Sequence, residues 1–183
     1  MGNRATLGDQ PAKAAKRGVG GKSGKGMEGR CACGAVRYRL RDTPLVVHAC
    51  HCLDCQRLTG SAFVINLWIE RELVELRGVA PQSFRLAGGS GRVHDVFFCG
   101  ACGTTVWSRY AGSGDSLFVR GGTLERPAEI EPDVHIYTRS KLPWIELPRG
   151  ARAFRSYYRM ASVWSAASRA RLERSRRRAV ARG

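Results

Sequence analysis

Residues 50–60 read CHCLDCQRLTG, with three cysteines inside six positions and a histidine between the first two. Thiols this close together suit a metal ion, and a structural zinc takes four ligands. Working outward, the chain repeats the theme twice, as CAC at 31–33 and CGAC at 99–102. The total of seven cysteines is odd and falls in three tight groups. A secreted disulfide framework has an even count at wider spacings. The thiols therefore read as thiolate ligands kept available in a reducing compartment, and a cytoplasmic location is expected.

Four of the seven can satisfy one another. In an extended Cys31-Ala32-Cys33, residues i and i+2 point to one face. A CxxC turn brings Cys99 and Cys102 together, and Gly103 allows the positive φ with which the chain turns away. Two pairs so far apart in sequence make a closed all-cysteine tetrahedron that ties the start of a domain to its middle. The chain between them must then fold back on itself in short elements, and the sequence there is strand-like. VRYRLR, PLVVHAC, SAFVINLWI, LVELRG, QSFRLAG, VHDVFFC, TTVWSRY, SLFVRG and EPDVHIY are rich in β-branched or aromatic residues and are punctuated by Gly and Pro. The fold class expected is all-β, a sandwich or barrel-like domain of short strands.

Cys50, Cys52 and Cys55 are left with three sulfurs. If CHC continues a strand, His51 points away from its neighbours and is a poor fourth ligand. Three protein ligands with an open fourth place are what a catalytic zinc keeps. Three thiolates leave Zn²⁺ with a net charge of −1, which favours a soft fourth ligand such as a substrate thiol over a water to be ionised. Two other readings stay open at this level. His48, His51 or His94 could close a second structural site, or Cys52-x-x-Cys55 could be a redox pair.

The 183 residues suffice for one domain with a real core, and no apolar run approaches the roughly 18 residues of a membrane helix. The net charge of +16 is unevenly spread: residues 1–26 carry +5, residues 150–183 carry +9 and the middle only +2. The expected organisation is a disordered basic Gly/Lys-rich arm over 1–27, a zinc-binding β domain over 28–149 and an Arg-rich helix or tail over 150–183. Met27 directly precedes EGRCACG and offers a second start for the chain. Phe154, Tyr157, Tyr158, Ala161 and Trp164 are spaced as one apolar stripe of a C-terminal helix packed on the body. Its arginines are then solvated, although an arm for nucleic acid or acidic lipid is the alternative.

GRCACGAVRY, CHCLDCQRLTGSAF, FFCGACGTTVW, LFVRGGTLE and HIYTRSKLPW, in this order, closely resemble the glutathione-dependent formaldehyde-activating enzyme family, also called the centromere protein V family. The resemblance spans about residues 29–145. It implies a β-tent fold, a compact domain of short antiparallel strands with two zinc ions. Cys31, Cys33, Cys99 and Cys102 match the structural ligands, and Cys50, Cys52 and Cys55 match the catalytic ones. The implied activity joins glutathione and formaldehyde into S-hydroxymethylglutathione, a reaction classed with the carbon–sulfur lyases. The partners implied are thus a small thiol and an aldehyde. The alternatives are a zinc-stabilised binding module whose basic tails contact nucleic acid, and a related zinc enzyme of different substrate. Arg57, Arg71 and Arg85 of the body are read as ordinary surface arginines and none is assigned to glutathione carboxylates. Arg57 is the best placed of them, two residues after Cys55, and Gly60-Ser61 is a weak candidate for lining the pocket.

Overall fold

A computed structural model describes residues 26–89, 91 and 93–181. It is an all-β body with one long helix at its end. All nine strand-like segments form strands, and a tenth precedes them. The strands are β1 (Met27–Arg30), β2 (Arg37–Leu40), β3 (Val46–Cys50), β4 (Val64–Glu70), β5 (Val74–Leu76), β6 (Gln82–Ala87), β7 (Val93–Phe98), β8 (Thr105–Tyr110), β9 (Ser116–Arg120) and β10 (Val134–Ile136). A short helix α1 (Leu53–Thr59) follows β3, and α2 (Ala166–Ala181) closes the chain. Most of the basic arm expected over 1–27 lies outside the described residues; Met27 begins β1.

Two sheets result. A small one has the order β1-β2-β5, and a seven-stranded one runs β10-β3-β4-β9-β8-β7-β6. The pairing is antiparallel except for β10, which lies parallel to β3 and so departs from the all-antiparallel expectation. The chain reaches β10 from β9 through turns and a long loop, which leaves room for a parallel return. β4 and β9 are buried along almost their whole length, because they sit at the centre of the large sheet with both faces covered.

Register sorts the side chains between those faces, since residues directly opposite in a ladder point the same way. Val47, Leu67, Val119 and Trp107 share one face. They pack in one core with Tyr38 and Leu40 of the small sheet, and Tyr38 meets the Trp107 ring edge-on at 5.5 Å. Val46, Trp68 and Phe118 share the other face and pack in a second core with Tyr158, Trp164 and Leu172 from the C-terminal stretch.

That stretch differs from the expected helix. Residues 151–165 hold only one short 3₁₀ turn, and α2 starts at Ala166. Their backbone bonds go to the chain at and after β10 instead. His135 N–H donates to Arg152 O at 2.7 Å, Phe154 N–H to His135 O at 2.9 Å and Tyr137 N–H to Ser156 O at 3.0 Å. The chain at and after β10 thus takes up the carbonyls of Arg152 and Ser156 and the N–H of Phe154, groups that helical bonds would have used. The aromatic stripe packs as a strap over β3 rather than as a helix face, with His48 Nε2 2.6 Å from the Tyr158 hydroxyl. α2 then docks through Leu172 and Ser175, while Arg171 makes a two-pronged pair with the buried Glu70.

Candidate metal centres

The four-cysteine group sits where β1 runs out and where β7 turns into β8. Cys31-Ala32-Cys33 is a turn and not the extended segment expected, with Gly34 N–H bonded to Cys31 O at 3.0 Å. The turn brings the two sulfurs to 3.5 Å, closer than an i, i+2 extended pair requires, and Cys33 Sγ lies 3.7 Å from Cys99 Sγ. Gly103 takes the expected left-handed φ of 72° and bonds back to Cys99 O. Thr104 joins the two turns: its hydroxyl accepts from Ala32 N–H at 3.2 Å and lies 3.1 Å from Cys102 Sγ. The Thr104 hydroxyl, and then its backbone N–H, hold the Cys102 thiol down at about 5. All four sulfurs lie within 4.8 Å of one another.

The three-cysteine group sits in the other core. Cys50 ends β3, Cys52 caps the N-terminus of α1 and Cys55 lies within its first turn. The expectation that CHC continues a strand is therefore incorrect, because the chain leaves β3 at Cys50 and turns into a helix. Cys52 Sγ accepts from Cys55 N–H at 3.4 Å, and the three sulfurs lie within 4.8 Å of one another. Hydrogen bonds from the Cys50 and Cys55 thiols, then backbone N–H groups, pull the Cys52 thiol far below the ordinary range. Cys50, which shares protons with both neighbours and is buried, is pushed far up. Among the described residues, no fourth His, Cys, Asp or Glu atom completes this group.

Both groups fit zinc by donor chemistry and spacing. A tetrahedral ion with bonds of about 2.3 Å separates its sulfurs by about 3.8 Å, close to the 3.5 and 3.7 Å found in the first group. None of the seven thiols is tied up in a disulfide.

The three histidines weighed as fourth ligands divide differently. His48 turns to Tyr158 and is pushed down to about 3 by burial. His51 faces His135, with Nε2 to Nδ1 at 3.1 Å, and burial holds it near 4. His94 is buried and stacks on Tyr110 at 4.6 Å, and neither of its ring nitrogens has a partner among the described residues. Of the arginines singled out, Arg85 pairs with Asp95 at 3.0 Å and Arg71 reaches Asp115 at 3.9 Å. Arg57 is exposed on α1. Ser61 donates to Phe63 O at 2.7 Å, and Gly60 closes α1 with φ of 62°.

A polar row beneath Cys55 escapes reading by spacing. Asn66 Nδ2 donates toward Cys55 Sγ at 3.9 Å, its carbonyl oxygen accepts from Arg120, and Arg120 Nη2 donates to Ser108 Oγ at 2.7 Å. The only sequence signal is a polar residue interrupting an apolar buried strand, Asn66 in VINLWIE and Arg120 in SLFVR.

Two cysteine groups that could hold metal ions, one in each core of an all-β body, define the class. The sequence model of the "Glutathione-dependent formaldehyde-activating enzyme" family matches residues 26–140. The chain belongs to that family. A Halomonas elongata protein, provisionally named a glutathione-dependent formaldehyde-activating enzyme, is 27% identical over 135 residues, 66% of this chain and 80% of the relative. A crystal structure of a Rhodobacter sphaeroides protein matches with a TM-score of 0.42 and 23% identity, covering 54% of this chain and 88% of that one, a likeness too low to bear on function. Among the described residues, no helix is long and apolar enough to cross a membrane.

Proposed function

We propose that this chain is a zinc-dependent carbon–sulfur lyase in which the thiol of glutathione, or of a related small molecule, adds to formaldehyde or a related aldehyde beside Cys50, Cys52 and Cys55. The observation that carries the reading is the contrast between the two cysteine groups: four thiols complete one tetrahedral set, while three stand together with no fourth donor among the described residues. Family membership and the name of the Halomonas relative support the same substrates. Cys31, Cys33, Cys99 and Cys102 would hold a structural zinc, and Cys50, Cys52 and Cys55 a catalytic one. A zinc in that second place supplies a soft Lewis acid that favours a thiol in its ionised form at neutral pH.

The chain's own contribution is placement and dryness. β3 and α1 fix the three sulfurs, with the first turn of α1 giving a backbone donor to Cys52. Val64, Trp68, Phe118 and Tyr110 pack around them and limit water. In the addition, sulfur gives an electron pair to the aldehyde carbon, the carbonyl π pair moves to oxygen, and that oxygen takes the proton the thiol gave up.

The test is exchange NMR of ¹³C-formaldehyde with glutathione, because the adduct also forms unaided and only acceleration counts. Acceleration that is lost in Cys52→Ser is the expected result. Protein with both metal groups filled and no acceleration, with glutathione or with other small thiols, overturns the reading.

A further inference from the structure

Arg120 is a buried charge without a carboxylate partner among the described residues. It is 3% exposed at the end of β9, and its guanidinium meets only neutral oxygens, Asn66 Oδ1 and Ser108 Oγ, while Nε has no partner. A guanidinium does not shed its proton in a protein. Burying one unpaired is therefore costly, and buried charges are normally paired. The same sheet face shows the normal solution four residues beyond Asn66 on β4, where buried Glu70 takes Arg171 in a two-pronged pair. No ion pair of Arg120 with a carboxylate is present among the described residues.

The next group beyond Asn66 is the sulfur of Cys55. Asn66 gives its carbonyl oxygen to Arg120, which turns its amide N–H toward Cys55 Sγ at 3.9 Å. His48, Asn66 and Arg120 lie side by side in register on the face that carries Cys50. His94 and Tyr110, stacked on each other in this region, offer no negative charge, since neither an imidazole nor a phenol is an anion at neutral pH. Three thiolates around a divalent ion leave one negative charge in excess. A strut tying β4, β8 and β9 together could be made by neutral side chains without burying a charge. A cation is needed only if the neighbouring sulfurs are ionised.

We infer that Arg120 is the counter-cation of the three-cysteine metal site and acts through Asn66 on Cys55 to hold the thiolates in their ionised, metal-ligating form. It is a positioning residue: the site is electrically balanced when three thiolates and one dication are present, and a second anion, such as a substrate thiolate, still meets a positive charge beneath it. This rests on reading Cys50, Cys52 and Cys55 as a metal site, but not on which thiol or aldehyde reacts there.

Two measurements test it without activity. In the first, chelator competition follows the two metal equivalents separately. Arg120→Met weakens the second equivalent at least ~10-fold and leaves the first unchanged, as supporting groups around metal sites do. Arg120→Lys keeps the charge and recovers part of the loss. In cobalt-loaded protein the thiolate-to-metal charge-transfer band of the second equivalent shifts in Arg120→Met. Unchanged affinity and spectrum overturn the inference.

The second covers the case in which Arg120→Met does not fold on its own. Replacing Cys50, Cys52 and Cys55 by serine removes the negative charge and leaves Arg120 uncompensated. Adding Arg120→Met to that triple variant raises its Tm, whereas a strut would lose stability in either background. Such a reversal of sign is the mark of coupling between neighbours. A further fall in Tm on adding Arg120→Met overturns the inference. Two metal equivalents without acceleration of the aldehyde reaction would sink the proposed substrates and leave Arg120's role standing. Wild-type protein that binds metal at the four-cysteine group alone would sink both.

Discussion

Cys52 and Cys99 are both metal-ligand candidates, yet their surroundings predict different losses. Cys99 is buried in the core shared by the two sheets, where its group joins the start of β2's sheet to the β7–β8 turn. Metal-binding energy there is folding energy. Cys99→Ser is expected to lower Tm sharply or to prevent folding, read by circular dichroism. Cys52 is half-exposed at a helix cap, so Cys52→Ser should keep the fold while rates fall to the uncatalysed background. Equal losses of Tm would show that the three-cysteine group is structural too. Tyr38 gives a pH prediction at the same scale. Burial pushes its hydroxyl up to about 12, with Thr123 bonded at 2.6 Å. A group raised in the folded state contributes stability that is fully present below its unfolded value near 10 and is lost as pH rises through 12. Tyr38→Phe should lose about 1 kcal/mol near neutrality from the missing hydrogen bond and show a shallower alkaline decline. Urea titrations from pH 8 upward check this; an unchanged alkaline slope would refute it.

Elements are where the sequence reading met its corrections. CAC and CHC each suggested extended chain, because alternation is the simplest way to put i and i+2 on one face. Both turned out to be turns or caps, since ligand sulfurs must converge on a point rather than line a surface. The C-terminal stripe had helical spacing, but the exposed edge of β10 offered its backbone better partners. Helical periodicity states which side chains travel together; it does not say whether a neighbouring strand will pair with the backbone carbonyls and N–H groups. β1 went unread because MEGR carries little strand propensity, and it exists through pairing with β2. Gly29 sits there opposite Tyr38, and a Cβ at that position would come within 2.3 Å of the Tyr38 ring. Gly29→Ala is therefore expected to cost about 1–3 kcal/mol by overpacking, measured by denaturant unfolding. The docking of α2 depends on Arg171, and Arg171→Met leaves Glu70 buried with its partner gone. That should cost on the order of 3–5 kcal/mol, and a loss below about 1 kcal/mol would show that the pair is peripheral.

For the whole molecule, the large sheet keeps the two cysteine groups in separate cores, one on each face. Metal removal should therefore proceed in two steps. One equivalent, held by three thiols, leaves first with the β signal intact. The second, held by four, leaves with unfolding. Metal analysis of reduced protein together with chelator titration checks this, and a single cooperative release of both equivalents would contradict it. The basicity of residues 150–183 also changes meaning at this scale. Arg171 and Arg178 reach Glu70 and Glu72, and Arg177 pairs with Glu173 along α2. Part of the charge that looked like a free arm ties the helix to the body.

The sequence alone determined the all-β class, the strand segments and the division of seven thiols into four and three. Strand residues and cysteine spacing are local properties, and a metal needs a countable set of donors. The tertiary structure decided which groups surround the three-thiol site. Asn66, Ser108 and Arg120 come from β4, β8 and β9 and meet only through strand register, so no spacing in the chain foretells them. The strap over β3 was decided in the same way, by a parallel edge that exists only once β10 has returned beside β3.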